Sequence, residues 1–222
     1  MIKFFIVIIA LFLCPSSNAQ TDISPQGIYM NINEIINEAP FKKVTLEVKR
    51  RSISDIKMSG GNDYKLISLD NSISKKAIRK QILAYSTGDT LFINCLRYKV
   101  QPWYASVISA GRYLAFIGGI SQEENLFNYQ TQKDKSYNFW KNIGGGISGG
   151  ISGAKLALKR FLYVIDTKSD ELSMIDEDTI RRLLAEKDLG LLKQYDADIK
   201  ENKQEEIEAL LLKYVNILND KD

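Results

Sequence analysis

The sequence predicts an α+β protein: an antiparallel sheet of about six to eight strands, laid down as a meander of hairpins, followed by C-terminal helices packed on it. Three observations predict it. Segments of period two, separated by turns of Gly, Asn, Asp and Ser, recur as far as Ile175. From Asp176 onward the apolar residues recur at three and four positions instead. The 222 residues are 45% hydrophobic and 26% charged, with 14 Gly and 4 Pro, which places the chain among folded proteins rather than fibrous or disordered ones.

The amino terminus reads as an address. Lys3 precedes ten unbroken apolar residues, Phe4 to Leu13, and small residues stand at Ser17 and Ala19 beyond Pro15. This is the pattern of a secretory signal peptide cut before Gln20, so residues 1–19 are expected to be removed. A membrane anchor needs roughly 20 apolar residues, which this run does not reach. Lipidation at Cys14 would call for a small residue where Leu13 stands. Cleavage leaves Cys95 as the only thiol, so an exported chain has no internal disulfide to form and depends on its core. Cys95 lies in an apolar run, Leu91 to Leu96, and no histidine exists to activate it, so it reads as a buried structural thiol.

Residues 20–175 are expected to form the mainly β domain. Gly27-Ile28-Tyr29-Met30 leads to a short helix over Asn33 to Asn37, which stops before Pro40. Val44, Leu46 and Val48 alternate with Thr45, Glu47 and Lys49 as a half-buried strand does. Ile53 to Met58 and Tyr64 to Leu69 predict a pair of strands about Gly60-Gly61-Asn62-Asp63, residues that tolerate positive φ. Ser74 to Lys80 is charged and shows no clear period. Gln81 to Tyr85 and Thr90 to Leu96 flank Ser86-Thr87-Gly88-Asp89 as one hairpin. Trp103 to Ser109 and Arg112 to Ile117 flank Ala110-Gly111 as the next. Ser121 to Lys141 is polar and aperiodic and predicts a long loop. The last hairpin joins Arg160 to Asp166 with Glu171 to Ile175 through Thr167-Lys168-Ser169-Asp170.

Residues 176–222 form the helical segment. Asp176 caps a helix with Ile180, Leu183 and Leu184 on one face, and Asp188 starts a short one carrying Leu191, Leu192 and Tyr195. Asn202-Lys203-Gln204-Glu205 has capping-box form ahead of Ile207, Leu210, Leu211, Tyr214 and Leu218.

Charge divides along the same boundary. Residues 20–160 hold 20 Lys and Arg against 11 Asp and Glu, whereas residues 161–222 hold 9 against 16. One reading docks the acidic helices on the basic sheet within a single molecule. The other offers the basic face, with Lys42, Lys43, Lys49, Arg50, Arg51, Lys75, Lys76, Arg79 and Lys80, to an anionic partner: an envelope protein, anionic lipid or polysaccharide. Nucleic acid is not expected for an exported chain whose mature net charge is only +2.

The motifs carry no assigned chemistry. Between Ile143 and Ala154 runs a glycine-rich segment in which Gly144, Gly146 and Gly149 satisfy the dinucleotide pattern, but its flanks are a polar loop and an antiparallel hairpin. Gly153 precedes Ala154 and not Lys, so a phosphate loop fails as well. The GxxxG spacings of Gly145, Gly146, Gly149, Gly150 and Gly153 leave two readings, a membrane-touching or oligomerising contact and a surface connection. Ser72-x-x-Lys75 begins a penicillin-recognising site, yet Ser54–Lys57 and Ser152–Lys155 fit equally well and no Lys-Thr-Gly follows. Gly27-Ile28-Tyr29 stands 88 positions before Ile117, too far for a GIY-YIG nuclease pair. Glu123-Glu124 and Asp196-x-Asp198 could supply the paired carboxylates of a glycan hydrolase, the alternative function. Trp103, Tyr104 and Tyr113 could stack on a sugar or fill the sheet core. No catalytic residue, metal ligand or cofactor is expected.

Three stretches taken together resemble a family of small exported Bacteroidetes proteins of unknown function: Gly27-Ile28-Tyr29-Met30 with Asn33-Glu34 and Pro40; Gly88 to Asn94; and Lys159 to Asp166 after a glycine-rich run. The ending, Leu189 to Leu218, is similar too. The resemblance implies a Gram-negative envelope setting and makes the glycine run a family trait; it brings no activity, substrate or site residue. The expected role is non-catalytic binding or envelope structure.

Overall fold

The structure, a computed structural model, describes residues 24–133, 154–201 and 207–221. The signal peptide, the capping box at Asn202 and the glycines Gly145, Gly146, Gly149, Gly150 and Gly153 therefore lie outside the described residues.

Nine strands occur among the described residues: β1 (Gly27–Tyr29), β2 (Glu47–Arg50), β3 (Tyr64–Ile67), β4 (Ala84–Ser86), β5 (Leu91–Asn94), β6 (Tyr104–Ser109), β7 (Tyr113–Gly118), β8 (Phe161–Asp166) and β9 (Glu171–Met174). Their pairings are antiparallel. The main path is β1-β4-β5-β6-β7-β8-β9, and β2 pairs with β3, which meets β6 where Tyr64 faces Tyr104. Tyr104 also faces Asn94 of β5, so β3 lies on the opposite edge of β6. Farther along that edge Val107 and Ser109 take up β7, with a register shift between them. One edge thus serves two partners in succession, and the sheet forks.

Asn62, just ahead of β3 and only 1% exposed, closes the fork. Its Nδ2 donates to the Gln101 carbonyl and, at 3.3 Å, to that of Pro102, while its Oδ1 accepts from the Gly119 amide at 2.6 Å. Its own amide donates to the Pro102 carbonyl at 2.8 Å. These are the main-chain groups left over where β6 starts and β7 ends, and buried ones need partners. Arg160, preceding β8, reaches Asp63 through Nη2 at 2.6 Å and Nε at 3.1 Å.

Helices form at cap residues: α1 (Ile32–Ile36) at Asn31, α2 (Ile53–Ser59) at Ser52, α3 (Lys75–Lys80) at Ser74 and, after α4 (Glu124–Lys133), α5 (Glu177–Lys187) at Asp176. Then come α6 (Leu189–Glu201) and α7 (Ile207–Asp220). Several expectations are corrected here. Ile53 to Met58 is a helix and not a strand, because Ser52 and Asp55 form a capping box and only Ile56 is buried; the hairpin partner of β3 is β2. The charged stretch at Ser74 is a helix, and the expected loop after Ser121 contains α4, anchored by the buried Gln130 between the Ser121 amide and the Tyr163 hydroxyl. Cys95 begins a 3₁₀ turn beyond β5, buried as expected, and burial pushes its thiol pKa up. Val44 and Leu46 precede β2, although Leu46 is buried.

The alternation of β8 divides the core. Tyr163 and Ile165 join Tyr29, Ile93 and Phe116 in one cluster; Leu162 and Val164 join Ile180, Leu184, Tyr214 and Leu218 of the helices in another. Ile28, Leu66, Ile78, Phe92 and Tyr104 form a third. Asn219 pins α7 to the β6–β7 hairpin, accepting from the Tyr113 amide at 2.7 Å and donating to the Tyr113 carbonyl and Ser109 hydroxyl. Beside these hydrogen bonds the helices dock through the apolar side chains of the second cluster. Among the described residues Arg181 pairs with Asp196, Lys213 with Asp198 and Lys221 with Asp188 inside the helical layer.

Asn62→Ala would strand the Gly119 amide and the Gln101 carbonyl in the interior. The expected cost is about 2 to 4 kcal/mol, read as a lower urea midpoint at an unchanged m-value.

Candidate functional site: a basic depression around Trp103

The β2–β3 ladder places Val48 opposite Leu66, whose side chains pack in the third core cluster. Alternation turns Lys49 and Lys65, opposite each other in the same ladder, to the other face. Like charges so placed repel. Lys65 is compensated by an indole: its Nζ stands 4.6 Å from the ring centroid of Trp103. Arg79 of α3 and Arg51 also place their guanidinium carbons 5.8 Å from that centroid. Three cations thus surround one electron-rich ring.

Trp103 sits at φ +80°, a region bulky side chains rarely enter and one that costs roughly 1 to 3 kcal/mol. It is held there from behind. Gly61, at φ +93°, lies so close that an added Cβ would come within 2.6 Å of Trp103 Cδ1 and 2.9 Å of Arg51 Nη1. Arg51 is 5% exposed, which corrects its reading as part of the exposed basic face. Its Nη1 donates to the Asn62 carbonyl at 2.8 Å, and its Nη2 to the Ser59 hydroxyl at 2.7 Å and the Asp55 carbonyl at 3.1 Å. Burial pulls the Arg51 pKa down, Asp55 opposes this and Arg160 adds to it. Arg51 is a strut, and sequence pattern alone presented it as a surface charge.

In front of the ring lies a cavity of about 310 Å³. Leu66, Ile73 and Ile78 line its depth, with Lys65, Lys75, Arg79 and Trp103 around them. Among the described residues no carboxylate lines it and none beyond Trp103 contributes. Among the described residues Lys65, Lys75 and Arg79 make no ion pair, whereas Lys99, Arg112 and Arg160 each find a carboxylate within 2.8 Å. Asp63, two positions before Lys65, is held by Arg160, and Asp70, between Lys65 and Lys75, is turned into its own loop: its Oδ1 accepts from the Ser72 amide at 3.0 Å and the Ser68 hydroxyl at 2.8 Å.

Of the residues singled out by sequence, Lys49 and Arg50 are exposed on β2, and Lys75 and Arg79 reach the depression. Lys42, Lys43, Lys76 and Lys80 are exposed without lining it. Lys65 escaped the list of basic residues, although its place between Tyr64 and Leu66 in an alternating strand was the available signal. Tyr104 belongs to the core, donating to the Ile78 carbonyl at 2.5 Å, and Tyr113 lies under Arg112. The acidic pair on α6 is engaged in helix packing: Asp196 binds Arg181 Nε at 3.0 Å, and Asp198 accepts from Lys213 at 2.8 Å and the Tyr214 hydroxyl at 3.0 Å. Glu123 pairs with Lys99. Among the described residues no group of three or more Cys, Asp or Glu is placed to hold a metal ion, and no helix is long and apolar enough to cross a membrane.

Two outcomes test this construction. Gly61→Ala should cost at least about 1 to 3 kcal/mol from the backbone alone and change the emission of Trp103. Hydrogen bonds from the Ser72 amide and then the Ser68 hydroxyl lower the Asp70 pKa from 3.8 to about 2. A carboxylate depressed on folding contributes stability that is complete above its unfolded pKa and disappears as pH falls through its folded value. Carboxyl NMR should therefore follow Asp70 titrating near pH 2, and Asp70→Asn should remove its part of the stability change between about pH 4 and 2.

No curated protein and no solved structure matches the chain. Residues 27–222, from the first strand to the last residue, match the family of unknown function DUF6563, and the chain belongs to that family.

Proposed function

We propose that this is an exported, non-catalytic binding module that receives an anionic partner at the basic depression, and that the partner is an anionic lipid surface of the cell envelope. The carrying observation is that Lys65 and Arg79 border a strained Trp103 and, with Lys75, line one depression in which no described residue is a carboxylate. Cations around an apolar floor attract and retain anions. Export is supported by the leader, with Lys3, the run from Phe4 to Leu13, and Ala19, and by the resemblance to exported Bacteroidetes proteins.

Apolar exposure favours lipid over polysaccharide. Leu69, in the loop that walls the cavity, is 76% exposed, and Met58 and Ile53 of α2, the helix bracing Arg51, are 86% and 66% exposed. Apolar side chains beside cations are what an interfacial surface offers to headgroups and acyl chains. A soluble polyanion would leave them in water.

Cosedimentation with phosphatidylglycerol vesicles should show binding that phosphatidylcholine vesicles do not support. It should fall as salt rises from about 0.01 M to about 1 M, which shortens the screening length from roughly 30 Å to roughly 3 Å. Lys65→Glu with Arg79→Glu should weaken it at least about tenfold, while Lys168→Glu, on the β8–β9 turn, should not. No sedimentation with anionic vesicles at low salt would overturn the lipid assignment, and retention on a sulfated polysaccharide in that case would give the face to glycan.

A further inference from the structure

From the shape of the same depression we infer that it holds one single-chain anionic amphiphile, of the kind a monoalkyl phosphate represents, with its charged end among Lys65, Lys75 and Arg79 and its chain on Leu66, Ile73 and Ile78. This rests on the reading of the depression as an anion-binding face and goes beyond it, because adhesion to a charged surface needs no cavity. The cavity measures about 310 Å³, at the small end of the roughly 300 to 1,000 Å³ of ligand clefts, which are likewise mostly apolar with a few placed polar groups.

Each part of the lining excludes a simpler occupant. Leu66 and Ile78 are core residues, 5% and 4% exposed, so the depression reaches into the third cluster; an inorganic anion would leave that apolar depth filled with water. A neutral sugar would leave three cations without a counter-charge. A polyanion too broad for the opening would meet the cations and miss the depth. A ligand with one charge and one narrow apolar chain satisfies both. The indole of Trp103, already bordering Lys65 and Arg79, stands where head meets chain.

The chain holds two tryptophans, so Trp140→Phe leaves Trp103 as the reporter of occupancy. Its fluorescence is followed in that background during titration with inorganic phosphate and with octyl, decyl and dodecyl phosphate, each below its micelle concentration. Affinity should climb roughly threefold to fourfold per added methylene until the cavity is full, then level off. An alkyl glucoside of equal length should bind at least about tenfold more weakly. Ile73→Phe, which fills the cavity from a partly exposed position, should abolish the chain-length dependence and leave vesicle binding in place; Ile73→Ala should move the plateau to longer chains. Alkyl phosphates that bind no better than inorganic phosphate while vesicles still bind would overturn the cavity and leave the anionic face standing. Failure of both vesicles and alkyl phosphates would overturn the two readings together.

Discussion

Asn62 is the constraint on which the remaining geometry depends. A strand that changes partner along one edge leaves main-chain donors and acceptors facing the gap, and in this sheet the gap lies between β3 and β7 on β6. Only a carboxamide presents a donor end and an acceptor end on so short a stem. Its Nδ2 serves the carbonyls of Gln101 and Pro102, and its Oδ1 the amide of Gly119. An aspartate would turn one of its oxygens toward two carbonyls, and a leucine would satisfy none of them. With the gap closed, Gly61 is carried against Trp103, Asn62 offers its carbonyl to Arg51, and Asp63 is placed for Arg160. The wall of the depression is thus an extension of the fork.

The charge distribution follows from how the two halves are joined. Had ion pairs fastened the helices to the sheet, the excess Lys and Arg of residues 20–160 would have been neutralised. Among the described residues, apolar contacts from Ile180, Leu184, Tyr214 and Leu218 onto Leu162 and Val164 fasten them, together with the Asn219 hydrogen bonds, while Asp188, Asp196 and Asp198 pair with cations of the helices themselves. Lys65 and Arg79 are left to the quadrupole of an indole, an attraction of about 0.5 to 1 kcal/mol apiece at exposed positions. That is enough to orient the cations and too little to satisfy them.

Much of this fold was legible in the sequence. The hairpins were, because their turns carry residues such as Gly88, Gly111 and Asp170 that enter the positive-φ region the connection requires. Two of the C-terminal helices were, because their apolar period runs over eleven and fourteen residues; the one after Asp188, expected to be short, runs thirteen residues and takes in Asp196 and Asp198. What failed was short or long-range. Six residues from Ile53 do not separate a strand from a helix by period, and the deciding signal was Ser52 with Asp55. In the candidate site, Lys75 and Arg79 stood among the basic residues, but Lys65 joins them only through the β2–β3 register, and Trp103 through a φ that no pattern encodes. Arg51 was misplaced because its burial depends on Ser59 and Asn62, partners brought to it by tertiary structure.

Charge is divided along the chain in a way that bears on how contact is made. Residues 161–222 carry the acidic excess, and the described residues that line the depression all belong to the basic part of the chain. Toward the anionic surface proposed above the two parts respond with opposite sign, over distances set by the ionic strength. On that proposal dilution of salt acts on the rate of arrival as well as on the tightness of the hold.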